Sequence, residues 1–96
     1  MPHVVWSNRA LFHLSRLSRF LAPKSARAAG EAIAAIRSAV RLLEQFPEAG
    51  PLTGRVPGQR DLVVRYGTGG YVVRYVVQTD SVIILWVRHQ RERPQP

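Results

Sequence analysis

The sequence predicts an α+β fold, in which an N-terminal strand and an antiparallel helix hairpin pack on a mainly antiparallel β-sheet in the order βααβββ. Apolar residues recur at every third or fourth position in the first half of the chain and at every second position in the second half. A stretch rich in proline and glycine, residues 47–58, separates the two patterns. The 96 residues, 46% of them hydrophobic, suffice for one two-layer core. We therefore expect a single domain over residues 1–96, with residues 91–96 as a frayed tail.

The first half is expected to form a strand and two helices. Residues 3–6 are β-prone, and Ser7 follows where its hydroxyl would cap the helix of residues 8–22. Pro23 interrupts this helix and suits the first turn of a second one. The second helix carries an apolar seam that would pack along the first, and Gly30 is expected to permit a close approach. The seam consists of Ala29, Ile33, Ile36, Val40 and Leu43.

The second half is expected to form three strands joined by short turns. Residues 62–65 alternate between two faces, and the glycine cluster within residues 67–70 is predicted to form a turn. Residues 71–77 form the next strand, followed by a turn at residues 80–81. Residues 82–87 are apolar throughout, which favours a central strand with the helices covering one face of the sheet.

The composition narrows the class of protein. The absence of cysteine excludes a disulfide framework, a thiolate nucleophile and a cysteine-based zinc site. No apolar run is long enough to span a membrane and no secretory signal is evident, so we expect a cytoplasmic protein without a membrane partner. The net charge of +8, almost entirely from arginine, predicts an anionic partner, either nucleic acid or an acidic protein. Codon composition is the alternative explanation of the arginine bias.

The sequence shows no complete catalytic or metal-binding pattern. Ser7 has no histidine and aspartate in a recognisable relation to it, and capping explains its position. The glycines of residues 67–70 precede a strand, whereas a phosphate-binding loop precedes a helix. The histidines lack metal-ligand spacing, and we expect neither a metal nor a cofactor. The histidines are His3, His13 and His89.

The second half does contain a set of cationic and aromatic residues with a possible functional role. The arginines near His89 could bind phosphate while the imidazole transfers a proton, a combination suited to RNA cleavage. Alternatively, Arg91 and Arg93 belong to a solvated tail and His89 only ends a strand, and composition alone favours this second interpretation. The set comprises Arg55, Arg60, Arg65, Arg74, Arg88, His89, Arg91 and Arg93, with Tyr71 and Tyr75 among them.

Several of these segments, taken in order, resemble the RelE/ParE superfamily of type II toxin–antitoxin toxins. The resemblance covers nearly the whole chain and is most specific in its second half. The segments are Val5-Trp6-Ser7, Arg60-Asp61-Leu62-Val63-Val64, Tyr71-Val72-Val73-Arg74-Tyr75 and the closing strand that ends in Arg88-His89-Gln90-Arg91. The superfamily contains RelE-like toxins, which cleave messenger RNA in the ribosomal A site, and ParE-like toxins, which poison DNA gyrase.

Three departures from the RelE-like pattern favour the ParE-like branch. The residue after Tyr71 is Val72 rather than an arginine, the strand after Arg60 carries no lysine, and no tyrosine follows His89. The resemblance therefore implies a toxin that binds gyrase and blocks replication, with a plasmid-stabilisation role as known for the family. A ribosome-dependent endoribonuclease that uses His89 and Arg91 is the alternative, and a binding module that has lost toxicity is a third class.

The resemblance also implies a binding surface and a partner. We expect the surface to bind gyrase or an antitoxin through charge-assisted contacts. Its residues are Arg60, Arg65, Arg74, His89 and Arg91. A cognate antitoxin, acidic in its C-terminal segment, is expected to wrap this surface in a hetero-oligomer and add a helix or strand to it.

Overall fold

The elements follow the predicted order βααβββ. The computed structural model describes residues 2–54 and 56–91. The helices and strands are β1 (His3–Trp6), α1 (Asn8–Leu21), α2 (Ala26–Leu42), β2 (Gln59–Tyr66), β3 (Gly69–Val77) and β4 (Ser81–His89). Of the predicted frayed tail, Arg91 lies in a turn and residues 92–96 lie outside the described residues, as does Arg55.

The four strands form one mixed sheet in the order β1-β4-β3-β2. β1 runs parallel to β4, and the other two pairings are antiparallel, which confirms a mainly antiparallel sheet. The prediction that the last strand is central is confirmed, since β4 pairs with β1 on one side and β3 on the other. The register between β3 and β4 shifts at Arg74 and Tyr75, so that Leu85 is an extra residue in β4.

The helix hairpin covers one face of the sheet, and Ser7 fixes where it begins. The Ser7 hydroxyl accepts the Ala10 N–H at 3.0 Å, which confirms the predicted cap. The same hydroxyl donates to the Leu85 carbonyl at 3.0 Å, so the start of α1 is bonded to the bulge in β4. The core lies between the hairpin and this face of the sheet, and its largest fully buried side chains are Tyr75, Ile36, Leu43, Ile84, Val40, Val73 and Val82.

The structure corrects two predictions about the helices. Pro23 lies in the turn between them rather than in the first turn of α2, because the Ser25 hydroxyl accepts the Ala28 N–H at 3.1 Å and caps a helix that begins at Ala26. Gly30 is exposed, and a Cβ built on it would have no atom within 4 Å. The helices therefore do not approach each other through Gly30.

The structure also shortens both predicted turns in the sheet. The first consists of Gly67, with a φ of +61°, and Thr68, so the remaining two glycines belong to β3. A Cβ on Gly70 would lie 2.9 Å from the Val64 carbonyl oxygen, which explains a glycine inside a strand. Ser81 begins β4 instead of completing the second turn. Across the described part of the chain, no helix is long and apolar enough to cross a membrane.

Candidate functional site

A groove of about 560 Å³ opens between α1 and the adjoining ends of β3 and β4. Its apolar residues come from both the helix layer and the sheet, and arginine and histidine residues lie next to them. We call it the α1/β4 groove, and its residues are His13, Arg16, Leu17, Phe20, Leu21, Tyr71, Val87, Arg88, His89 and Arg91. A concave surface that combines apolar and cationic groups suits an amphipathic, acidic ligand.

The helical wall of the groove is one stripe of α1. His13, Arg16, Leu17 and Phe20 follow one another at spacings of three, one and three residues, which places them on the same side of a helix. The His13 Nδ1 atom accepts the backbone N–H of Val87 at 3.1 Å and holds this part of α1 against β4. Phe20 is 62% exposed, so a large apolar side chain is available at the rim.

The wall formed by β3 and β4 is centred on the rings of Tyr71 and His89, which pack edge to face. Tyr71 pairs with His89, and their ring centroids lie 5.4 Å apart at an interplanar angle of 88°. Burial raises the pKa of the Tyr71 hydroxyl above its ordinary value. The His89 Nδ1 atom accepts the Arg91 N–H at 3.1 Å, which assigns the proton of the neutral ring to Nε2. A Cβ at Gly69 would lie 3.2 Å from that Nε2 atom, so glycine there makes room for the imidazole.

Of the five residues predicted to form the binding surface, the structure brings only His89 and Arg91 into the groove. Arg60 lies at the start of β2, where its Nη1 atom donates to the carbonyl oxygens of Gly50 at 2.8 Å and Glu48 at 3.3 Å. These bonds hold the loop that follows α2 against the sheet. Arg60 therefore has a structural role that its sequence context did not indicate.

Arg74 and Arg65 lie on the face of the sheet opposite the helices. Arg74 forms two hydrogen bonds with the Asp61 carboxylate, at 2.8 and 3.0 Å, and this pairing raises the pKa of the guanidinium. The Arg74 guanidinium also lies 4.6 Å from the ring centroid of Trp86, and that of Arg88 lies 5.4 Å from it. Arg65 is exposed near the end of β2. The predicted cationic surface is thus divided between the two faces of the sheet.

The groove contains residues that the sequence analysis did not select as a group. Arg88 and Tyr71 were among the cationic and aromatic set, but His13, Arg16 and Phe20 were not. The helical spacing of these three residues was a visible signal, because it continues a cationic and aromatic stripe along α1. Nothing in the sequence showed that this stripe would meet the end of β4.

The arginines of the groove are suited to binding an anionic group, and its lining contains two histidines, His13 and His89, and one tyrosine, Tyr71. Arg16 and Arg91 bring guanidinium groups to its lining, whereas the guanidinium group of Arg88 lies beside Trp86 on the opposite face of the sheet. Within residues 2–54 and 56–91, no three histidine or acidic side chains converge to hold a metal ion.

Comparison with known proteins gives consistent matches over almost the full chain. A family model described as the ParE toxin of type II toxin–antitoxin systems, parDE, matches residues 4–94. Toxin RelE3 of Caulobacter vibrioides is 36% identical over 97% of this chain and 99% of its own length. Toxin RelE2 of the same organism is 34% identical over 93% of this chain and 96% of its own length. A solved structure titled as the chromosomal ParDE TA system from P. aeruginosa superposes with a TM-score of 0.76 at 20% identity, covering 93% of this chain and 96% of that one.

Proposed function

The chain belongs to the ParE toxin family of type II toxin–antitoxin systems, and on that premise we propose that it acts by binding DNA gyrase and blocking replication, without chemistry of its own. Membership of the family implies an antitoxin as partner. We propose that this antitoxin neutralises the toxin by occupying its binding surface.

The observation that supports binding over catalysis is that three of the five predicted surface residues, Arg60, Arg65 and Arg74, lie outside the groove that contains His89. A nuclease would need several of them to converge beside one acid or base, since each positioned group typically contributes about 10²- to 10⁴-fold. Arg60 instead holds a loop, and Arg74 is bonded to Asp61 on the far face of the sheet. Val72, the residue after Tyr71, is buried on that far face and adds nothing to the groove.

The α1/β4 groove also fits the proposed antitoxin. Its apolar lining would receive large apolar side chains, and its guanidinium groups would face carboxylates, as expected for an amphipathic helix with an acidic face. The net charge of +8 favours such a partner and predicts that the affinity falls as the salt concentration rises. A complex whose affinity is insensitive to salt would show that the arginines are not the contact surface.

A second candidate function rests on one observation. His89, Tyr71 and Arg91 meet in the same groove as Arg16, so a phosphate bound there would have both a cation and an imidazole beside it. This arrangement would support a ribosome-dependent endoribonuclease with His89 as acid or base.

One purified sample distinguishes these functions. The toxin is added to a gyrase supercoiling reaction and, in parallel, to a translating extract with a labelled message. We expect inhibition of supercoiling, gyrase-linked DNA breaks and an intact message. Cleavage of the message with supercoiling unaffected would overturn the proposal.

Matched histidine variants identify the origin of any cleavage. His89→Ala removes the imidazole from the groove, whereas His3→Ala removes an exposed imidazole on β1. Cleavage lost only in His89→Ala would establish the nuclease. If expression without antitoxin leaves growth unimpaired, the chain is a binding module without toxicity.

A further inference from the structure

The N-terminal third of the sequence is cationic and lacks acidic residues. Residues 1–30 contain no aspartate or glutamate, and the first acidic residue of the chain is Glu31. The cations of this segment lie in α1, in the turn after it and at the start of α2. They are Arg9, Arg16, Arg19, Lys24 and Arg27. Much of the net charge of +8 is therefore concentrated on and around α1.

The three arginines of α1 stand on the side of the helix that faces away from the core. Arg9, Arg16 and Arg19 are exposed, whereas Ala10 and Leu14 of the same helix are buried. With 3.6 residues per turn, the arginines lie within about 80° of one another around the helix axis, and with a rise of 1.5 Å per residue their row is about 15 Å long. They form one row on a convex surface, which we call the outer surface of α1.

Two exposed phenylalanines lie beside the cations of this surface. Phe12 is 57% exposed and Phe20 is 62% exposed. The Arg19 guanidinium lies 6.0 Å from the Phe12 ring centroid, and the Lys24 ammonium lies 4.2 Å from the Phe20 ring centroid. A cation that a ring already holds in place loses less side-chain freedom when an anion binds it. These charges are therefore positioned before a partner arrives.

The cations of the outer surface face no carboxylate of the described chain that would neutralise them. The ion pairs found within residues 2–54 and 56–91 lie within α2 and between β2 and β3. Arg9, Arg19 and Lys24 take part in neither of them. Because the apolar stripe of α1 packs on the core, the outer surface presents these charges to an external anion.

A row of cations on an exposed helix is complementary to duplex DNA. A helix with its side chains is about 10–12 Å wide, and the major groove of DNA is about 12 Å wide. Duplex DNA carries one charge per about 1.7 Å of its axis, so a row of about 15 Å meets phosphates in any register. Arginine, which supplies the three cations within the helix, also binds phosphate through two parallel hydrogen bonds.

Other anionic partners fit this surface less well. A membrane-binding helix gathers its apolar side chains on the lipid side, whereas Phe12 and Phe20 stand among cations and the apolar stripe of α1 packs on the core. A tightly bound protein buries an apolar centre inside a polar rim. That combination is found in the α1/β4 groove rather than on the convex outer surface.

We propose that the outer surface of α1 binds the phosphate backbone of duplex DNA through Arg9, Arg19 and Lys24, with Arg16 in the same row. The binding itself requires no other protein. Its place in the mechanism rests on the proposed function, in which the DNA is the segment held by gyrase. A toxin that contacts both the enzyme and this segment would bind the gyrase–DNA complex more tightly than gyrase alone.

Fluorescence anisotropy measures this binding with the purified toxin and a fluorescein-labelled DNA duplex of mixed sequence. We expect a Kd of about 10⁻⁶ to 10⁻⁴ M at physiological salt, as for contacts that read no base sequence. With four phosphate contacts, the logarithm of the association constant should fall with a slope of about −3.6 against the logarithm of the salt concentration.

Matched double variants assign the binding to one surface. Arg9→Gln with Arg19→Gln removes two charges from the outer surface of α1. Arg37→Gln with Arg41→Gln, the control, removes two exposed charges from α2 and leaves the same net charge. We expect the α1 variant to raise the Kd for the duplex at least about tenfold and to reduce the salt slope by about 1.8, and the control to raise the Kd less than about threefold. Thermal melts verify that both variants are folded.

Three results would overturn the inference. The first is no binding to the duplex at low salt, and the second is an equal loss of affinity in the two double variants. The third is a duplex affinity that the α1 variant leaves unchanged while it loses binding to phosphatidylglycerol vesicles or to DNA-free gyrase, since the surface would then bind a membrane or a protein.

The supercoiling assay keeps this inference separate from the proposed function. A toxin that binds the duplex through α1 but leaves supercoiling unaffected would overturn the proposed function and leave the inference standing. A toxin that inhibits supercoiling but does not bind the duplex would overturn the inference and leave the proposed function standing.

Discussion

Replacement of Tyr75 by phenylalanine should destabilise the fold far more than loss of one hydroxyl group suggests. The side chain is fully buried, and its hydroxyl donates to the Pro47 carbonyl at 2.8 Å and accepts the Gly50 N–H at 2.9 Å. Phenylalanine keeps the ring but leaves a donor and an acceptor of the loop after α2 without a partner. The loop is held by Arg60 as well, so it has limited freedom to turn these groups toward water.

The expected decrease in the free energy of unfolding follows from the unpaired Pro47 carbonyl and Gly50 N–H. A buried polar group left unpaired costs about 1–3 kcal/mol, so we expect unfolding to become easier by about 2 kcal/mol. For a domain of this size, about 5 °C of melting temperature corresponds to 1 kcal/mol, which predicts a decrease of roughly 10 °C. Urea titration followed by circular dichroism should give the same loss with an unchanged m-value.

Tyr66→Phe provides the matched control. Its hydroxyl donates to the Glu31 carboxylate at 2.9 Å across an exposed contact, where water replaces the lost partner. We expect a change below about 0.5 kcal/mol. If Tyr75→Phe is as stable as Tyr66→Phe, the loop is not held by the Tyr75 hydroxyl and the argument from its two bonds is wrong.

Three further stability measurements test other parts of the fold. Gly50→Ala would place a Cβ 2.5 Å from the Asp61 carbonyl oxygen, so thermal melts should show a loss above about 2 kcal/mol. Gly30→Ala meets no atom within 4 Å in the interior of α2 and should stabilise by about 0.5–1 kcal/mol; a loss would restore the predicted close approach of the helices. Burial raises the pKa of Tyr71 and of Tyr75, so above about pH 10 the unfolded chain loses protons that the folded chain keeps, and the free energy of unfolding should fall as the pH rises. Flat stability from pH 9 to pH 11 in urea titrations would contradict the assigned burial.

The order and type of the helices and strands could be predicted because each is determined mainly by residues close together in the sequence. The period of the apolar residues distinguishes helices from strands, and Ser7 marks the start of α1 with a capping side chain. The continuous apolar run of β4 even indicated its central position. The boundaries of the turns were predicted less accurately, since Ser25 rather than Pro23 determines where α2 begins.

The candidate site was predicted only in part, because it depends on contacts between distant elements. Arg60 looked like a surface cation, but its acceptors are backbone carbonyls in a loop, which no side-chain pattern reveals. Arg74 faces away from the groove because strand parity and the β3/β4 register put it opposite Trp86. His13 entered the site through a bond to Val87 that lies 74 residues away in sequence. The periodicity of apolar residues predicts the helices and strands, but it does not predict such contacts between residues far apart in the sequence.

The parallel pairing of β1 with β4 also determines when, during synthesis, the fold can be completed. The first strand to emerge from the ribosome has the last strand as its only strand partner in the described sheet. The sheet therefore cannot close, and the groove at the end of β4 cannot form, until residues 81–89 have left the ribosome. A chain that ends before β4 therefore lacks both the closed sheet and the groove, which are the surfaces needed for the proposed binding.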